Sequence, residues 1–250
     1  MSLSVRMLSL FRKTKMCDLD LKKVAVEQQE LKISPVHNTN TTVKTATFGM
    51  GCFWGAESLY GGTKGVLRTT VGYAGGSTNI PTYRNIGDHT EVLEIDYDPN
   101  VISFKQLLHL FWNNHEYGLT TKVKQQYISL ILYHDEEQKS IAEASKEEQK
   151  KKRAPEVLIT KICEKKTFYP AEDYHQKYRL QGHKDLTKSL NLNSKLLLTS
   201  YVATKLNGYL AGVGGLAQFN AEADTLGLTP SQKSYCSYYT EKNEGGGLYC

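Results

Sequence analysis

Between Val43 and Ile162 the chain alternates short strand-like runs with helix-like ones, and this order constrains the fold more than any other feature. "VKTATFGM" has the threonine and aromatic content of a strand, and "FWGAESLYGG" reads as a short helix closed by Gly61 and Gly62. "GVLRTTVGYAGG" is a second strand running into a glycine-rich turn. "EVLEIDYDP" alternates Leu93, Ile95 and Tyr97 against polar neighbours until the turn at Asp98-Pro99. In "ISFKQLLHLFWNNH" Phe104, Leu107, Leu108 and Phe111 recur at i, i+3, i+4 and i+7, an amphipathic helix with Ser103 as its cap.

"QYISLILYH" is a strong strand. "DEEQKSIAEASKEEQKKKRA" is a solvated helix, with acids at its start and bases at its end as the dipole prefers. "EVLITKI" is a further strand, and the loop "FYPAEDYHQKY" follows. The order β-α-β-β-α-β-α-β predicts an α/β (α+β) two-layer sandwich around a split β-α-β, ferredoxin-like core.

Three segments follow from the changes in composition. Residues 1–42 read as a leader and linker, residues 43–180 as the catalytic α/β domain, and residues 181–250 as a C-terminal extension. In that extension "LLLTSYVATKLNGYLAGVGG" has helical content and then loosens. The last twenty residues are rich in Ser, Tyr, Glu and Gly, so a long irregular tail, mobile at its end, is expected.

The chain is 40% hydrophobic and 23% charged, which suits a soluble globular protein with a sizeable core. A net charge of +5, without aromatic residues among the basic ones, gives little reason to expect nucleic-acid binding. No apolar run approaches the roughly 18 residues of a membrane span. The opening "MSLSVRMLSLFRKTKM" has four bases, no acid and helically spaced leucines, a pattern that serves either as a mitochondrial presequence or as a plain leader. A start at Met7 or Met16 would trim it. A cytoplasmic protein, with mitochondrial import as the second destination, is therefore expected.

The five cysteines are widely scattered and form no CxxC pair, and the seven histidines have no ligand spacing. Neither a disulfide framework nor a metal site is expected. Cys52 stands apart, because "GMGCFWGAE" places it where a strand ends and a helix begins. The helix N-terminus stabilises a thiolate there, lowering the pKa below its free value of about 8.5. Glycine on both sides permits a sharp turn and access to the sulfur. Phe53 and Trp54 are core residues by default. Beside a nucleophile they can wall a pocket sized for a methyl group.

A thiolate attacking a polar S=O group needs a proton donor for the departing oxygen. "RNIGDHTEVL" offers Asp88, His89 and Glu91, and spacing alone does not choose between the two acids. Tyr83, Tyr127 and Tyr174 lie at loop or strand ends, where a phenol can bind a substrate oxygen. Cys236 and Cys250 lie in the tail, and a mobile thiol there can reach a distant oxidised cysteine. Cys17 and Cys163 read as bystanders.

Taken together, "GCFWGAE", "GYAGG", "PTYRNIGDHTEV", "DYDPNVISF", "FWNNH", "QYISLILYHDEEQ" and "FYPAEDYHQKY" resemble the A-type peptide-methionine sulfoxide reductases over residues 43–180. The resemblance implies reduction of the S epimer of methionine sulfoxide, free or in oxidised proteins, with no metal or organic cofactor. It implies Cys52 as nucleophile, Phe53 and Trp54 holding the substrate methyl, and Glu91 as the acid. It implies Tyr83 and Tyr127 as oxygen-binding groups. A cysteine sulfenic acid then condenses with a C-terminal cysteine, and thioredoxin reduces the resulting disulfide. "GGGLYC" points to Cys250 as the resolving thiol, with Cys236 as a second or relay thiol. A monomer is expected.

Two departures from the family pattern stand out. Many members carry an acid where "KVKQQYIS" has Lys122, and the YR-to-HxE segment is shortened to "YRNIGDHTE". Two other classes fit the residues less well. A peroxide-reducing thiol protein has no use for a methyl pocket. A module that only binds methyl-bearing side chains predicts binding without turnover.

Overall fold

The computed structural model describes residues 42–248. The leader reading, the alternative start sites, Cys17 and Cys250 lie outside the described residues. Six strands form one sheet: β1 (Lys44–Met50), β2 (Val66–Ala74), β3 (Thr90–Tyr97), β4 (Ser129–Tyr133), β5 (Lys161–Glu164) and β6 (Tyr169–Pro170). Their order across the sheet is β5-β4-β1-β3-β2-β6. β3 lies antiparallel between β1 and β2, pairing Ala46 with Ile95 on one side and Thr69 with Ile95 on the other. β1 and β2 are therefore parallel strands with a third inserted between them, the split β-α-β that the segment order predicts. β5 adds to β4 in parallel, as a crossover through a helix requires.

The first helix, α1 (Phe53–Gly62), makes the split crossover; α2 (Phe104–Asn113) and α3 (Glu136–Arg153) make the later ones. Ser103 caps α2 through a reciprocal box with Gln106. Asp135 caps α3, whose first turn carries Glu136 and Glu137 and whose last turn is Lys150–Arg153. Phe48, Tyr60, Leu93, Ile95, Tyr97, Phe104, Leu107 and Phe111 are buried together in the main core. Alternation along β1 and β3 directs these side chains to one face. The opposite face has a smaller cluster of Ala74, Val92, Leu130 and Leu132.

The expected irregular tail is instead mostly helical. After the short α4 (Tyr178–Gln181) come α5 (Lys184–Ser189), α6 (Ser194–Thr199), α7 (Tyr201–Tyr209), α8 (Gly215–Glu222) and α9 (Pro230–Asn243). Local caps start three of them: Asn193 accepts from the Leu196 N–H, Ser200 from Ala203, and Thr229 from Gln232, with Pro230 at the first helical position. These helices bury a core of their own around Leu186, Val202, Leu206, Tyr209, Phe219 and Cys236.

That second core is fastened to α1 by backbone contact. A Cβ on Gly61 would lie 2.5 Å from the Thr204 carbonyl oxygen, and one on Gly208 would run into the Gly62 nitrogen. Gly61 and Gly62, read from sequence as a helix stop, thus also let α7 approach α1. Lys205 of α7 donates to the Gly62 and Thr63 carbonyls at 3.3 and 3.4 Å, and Gln218 of α8 donates to Gly62 at 2.7 Å. The open C-terminal carbonyls of α1 are satisfied by the helical extension.

Candidate active site

β1 ends at Met50, and Gly51 turns the chain with φ of 84°, a value that strains any residue bearing a side chain. Cys52 follows as the N-cap of α1, in extended conformation and half-buried. Its sulfur is held in a disulfide. Cys163 and Cys236 are both free thiols.

Glu91 sits near the start of β3 and reaches across to this turn. One carboxylate oxygen accepts the Phe53 backbone N–H at 3.1 Å, and the other accepts the Gln126 amide at 2.6 Å. The side chain is only 1% exposed. Burial pushes its pKa up to about 6, against these two donors, which favour the ionised form. Asp88, the competing acid, is spent elsewhere. It accepts from the backbone and hydroxyl groups of Ser77 and Thr78, which hold it far below the carboxylate range. Of the two acids, Glu91 is the one the fold brings beside Cys52.

The aromatic residues form a wall beside Glu91 and Cys52. Phe53 is buried, its ring centre 6.1 Å from Tyr73, 6.5 Å from Trp54 and 5.2 Å from His175. Trp54 stacks flat on Tyr178, with centroids 3.7 Å apart and planes 5° from parallel. Its indole N–H donates to His175 Nδ1 at 3.2 Å, which assigns the ring proton to Nε2. Burial pushes the His175 pKa down, so the neutral ring is favoured. Nε2 is buried with no hydrogen-bond partner among the described residues. An oxygen of a bound ligand could supply one.

Tyr83 lies 4.6 Å from the His175 ring, and burial, helped by the charges of Glu91 and Tyr83, pushes the Tyr127 pKa up to about 12. Tyr127 therefore remains a donor at neutral pH. Tyr174 is 56% exposed at the rim, with its ring 4.1 Å from His175. These contacts draw Cys52, Phe53, Trp54, Tyr83, Glu91 and Tyr127 into one cluster.

Cys236 does not join them. It is fully buried in α9 within the second core, and burial pushes its thiol up to about 12. A mobile relay thiol was expected there; capping and apolar packing turn that part of the tail into helix. Cys163 is exposed on β5, and Cys250 lies outside the described residues.

Several positioning residues escaped the sequence reading. Glu57 of "GCFWGAE" is wholly buried and pairs with the equally buried Lys177 of "FYPAEDYHQKY" at 2.7 Å. The Lys177 backbone N–H also donates to Glu57, at 2.6 Å, and its ammonium donates to the Thr69 carbonyl. Burial raises the Glu57 pKa, with Lys177 pulling it the other way. Gln176 acts as a short length of strand: its amide oxygen accepts the Val71 N–H, and its NH2 donates to the carbonyls of Val71 and Ala171. Glu172 joins the Tyr73 hydroxyl at 2.8 Å to the Tyr83 backbone N–H at 3.1 Å. Burial would raise Glu172, but hydrogen bonds from the backbone and from Tyr73 outweigh it and hold the group low. Lys122 is exposed, and Glu172 is a second carboxylate, after Glu91, linked to this aromatic wall. One signal was legible: a lone acid in an otherwise apolar helix demands a buried partner.

The arrangement offers a sulfur at a helix start, a desolvated carboxyl next to it, and an aromatic wall with phenol donors. Among the described residues no group of three or more His, Cys, Asp or Glu side chains could hold a metal.

A family model described as "Peptide methionine sulfoxide reductase" matches residues 44–205. A second, "Selenoprotein methionine sulfoxide reductase A, helical domain", matches residues 191–235, within the helical extension. A Drosophila melanogaster protein named peptide methionine sulfoxide reductase is 74% identical over 231 residues, covering 92% of this chain and 94% of its own length. Peptide methionine sulfoxide reductase A5 of Arabidopsis thaliana is 39% identical, covering 70% and 71% of the two chains. Among solved structures, Mxr1 from Saccharomyces cerevisiae in reduced form is similar with a TM-score of 0.52 at 30% identity, over 57% of this chain and 87% of that one. Methionine sulfoxide reductase A of Corynebacterium diphtheriae has a TM-score of 0.52 at 29% identity, over 60% and 81%.

Proposed function

The chain belongs to the peptide methionine sulfoxide reductase family of oxidoreductases, and from that premise we propose that it reduces the S epimer of methionine sulfoxide, free or in oxidised proteins, through Cys52. The observation that carries the reading is the Glu91 carboxyl, hydrogen-bonded to the amide next to Cys52 and raised by burial to a pKa of about 6, closer to neutral pH than an ordinary carboxyl.

In this reading Phe53 and Trp54 hold the substrate methyl, and Tyr83 and Tyr127 bind the sulfoxide oxygen. The Cys52 thiolate attacks while Glu91 delivers a proton to that oxygen. The sulfoxide is reduced to methionine as oxygen passes to Cys52, which becomes a sulfenic acid. The Cys250 thiol then displaces water from the sulfenic acid, giving a Cys52–Cys250 disulfide. A thioredoxin-class dithiol reduces that disulfide and returns both thiols. The electrons come from thiols throughout, so the cycle needs no metal or organic cofactor.

Two observations favour Cys250 over Cys236 for the second step. Cys236 is sealed in a helical core with its proton held tightly, whereas the chain leading to Cys250 passes over α1 at Leu248. For the sequence before residue 42, the reading keeps a cytoplasmic enzyme, with mitochondrial import through the basic leader as the second destination.

The test uses fully reduced protein and one equivalent of the S epimer, without thioredoxin. One methionine per enzyme, with Cys52 and Cys250 joined on peptide mapping, is expected. No methionine, or turnover retained by Cys52→Ser, overturns the reading.

A further inference from the structure

We infer that Gly55 is the seat of the C-terminal strap during closure on Cys52, so that a side chain at position 55 impedes disulfide formation more than methionine formation. The inference rests on the proposed cycle and adds to it a residue that positions the resolving step.

The first observation is steric. Gly55 is buried in the opening turns of α1, three residues after Cys52. A Cβ there would lie 2.8 Å from the Leu248 carbonyl oxygen and 3.6 Å from Leu248 Cβ. The neighbour is main chain and cannot swing aside as a flexible side chain would. Alanine is otherwise the better helix former, by about 1 kcal/mol. The absent side chain is the space that Leu248 occupies.

The second concerns where the strap lies. Leu248 packs against the main core, and with Met50, Gly51, Cys52 and Gly55 it lines a cavity of about 350 Å³. Phe53, Trp54 and Glu91 are absent from that lining. Cys52 is therefore addressed from two sides, with the aromatic wall and acid on one and the strap on the other.

The third concerns the strap's base. The Asn243 amide donates to the Leu210 carbonyl at 2.7 Å, and Glu244 accepts the Leu216 N–H at 3.2 Å, so the strap leaves the helical extension from a fixed point. Gly245 and Gly247, with φ of 74° and 80°, supply its turns. With one end fixed and so few residues free, the seat at Gly55 decides where the strap meets α1.

The experiment compares wild type, Gly55→Ala and Leu248→Asn, all fully reduced, by rapid quench with one equivalent of the S epimer. Methionine release reads the first step, and thiol loss reads closure. A cyclic 1,3-dione traps any sulfenic acid left waiting. In both variants the ratio of closure rate to methionine release is expected to fall at least about tenfold, equivalent to about 1.4 kcal/mol, with dione-labelled Cys52 accumulating. Leu248→Asn leaves α1 untouched, so a fold defect in α1 cannot imitate the result. An unchanged ratio in either variant, or a proportional fall in both rates, overturns the proposal. Failure of wild type to release methionine would instead overturn the proposed function itself.

Discussion

The Glu91 carboxylate accepts the Phe53 backbone N–H at 3.1 Å, tying the central strand β3 to the first residue of the helix that Cys52 caps. One carboxyl thus braces the turn that carries Cys52 and, in the proposed cycle, supplies the acid beside it.

With a pKa near 6, Glu91 loses its proton as pH rises through that value. The single-turnover rate of methionine formation is expected to fall with an apparent pKa near 6, measured by rapid quench between pH 5 and pH 8. Glu91→Gln is expected to lower the rate by roughly 10²–10⁴ and to flatten this limb.

The same shift has a stability consequence of opposite sign. The folded pKa lies above the ordinary value of 4.5, so folding favours the protonated form and the ionised form opposes it. The penalty is absent well below pH 4.5 and complete above pH 6. It amounts to about 2 kcal/mol from the linkage between pKa and stability. Glu91→Gln is therefore expected to be more stable than wild type at pH 7.5 and to lose that advantage near pH 4, by denaturant titration.

Lys177→Met leaves the Glu57 carboxylate buried without its counter-charge. A loss of about 3–5 kcal/mol is expected by chemical denaturation. Combining it with Glu57→Gln should recover part of that loss, because the uncompensated charge is gone. An additive double mutant would show that the pair contributes nothing through its contact.

Gly208→Ala provides a test by sign. In an ordinary helix interior the change stabilises by about 1 kcal/mol. Here the new Cβ meets the Gly62 backbone, and a loss of about 1–3 kcal/mol is expected instead. Denaturant midpoints of wild type and variant decide it.

The two tail cysteines should part company. Cys250→Ser is expected to release one methionine and then stall with thioredoxin as reductant. Cys236→Ala should keep cycling, because its thiol is enclosed by the second core. Multiple-turnover assays with thioredoxin distinguish the two.

The order of strands and helices from β1 to β5, the Ser103 cap and the position of Cys52 at a strand–helix junction were legible in the sequence because each follows from local periodicity or local capping. Asp88 and Glu91 were not separable, since only the fold shows that Ser77 and Thr78 occupy the first. Beyond the helical content read in 196–215, the helices of the extension were missed although their starts were written locally. Asn193, Ser200 and the Thr229-Pro230-Ser231-Gln232 run are all capping signals, hidden by a composition that reads as linker. Glu57 and Lys177 are 120 positions apart, so their pairing was visible only as two charges lacking an evident reason. Gly55 is instructive in another way. As a residue flanking Cys52 it read as open access to the sulfur, yet its Cβ position is blocked by Leu248, whereas that of Gly51 is clear.

Gln176 has a bearing on solubility. β6 is only two residues long and covers Gly72 and Tyr73 of β2, which would leave the Val71 peptide facing outward at the sheet's border. A bare strand edge invites a strand from another molecule. The Gln176 amide takes the Val71 N–H and shares the Val71 carbonyl with the Ala171 backbone N–H, and together they close that invitation. Replacing it by leucine would leave the Val71 N–H without its partner, and self-association through the sheet would be the consequence to look for.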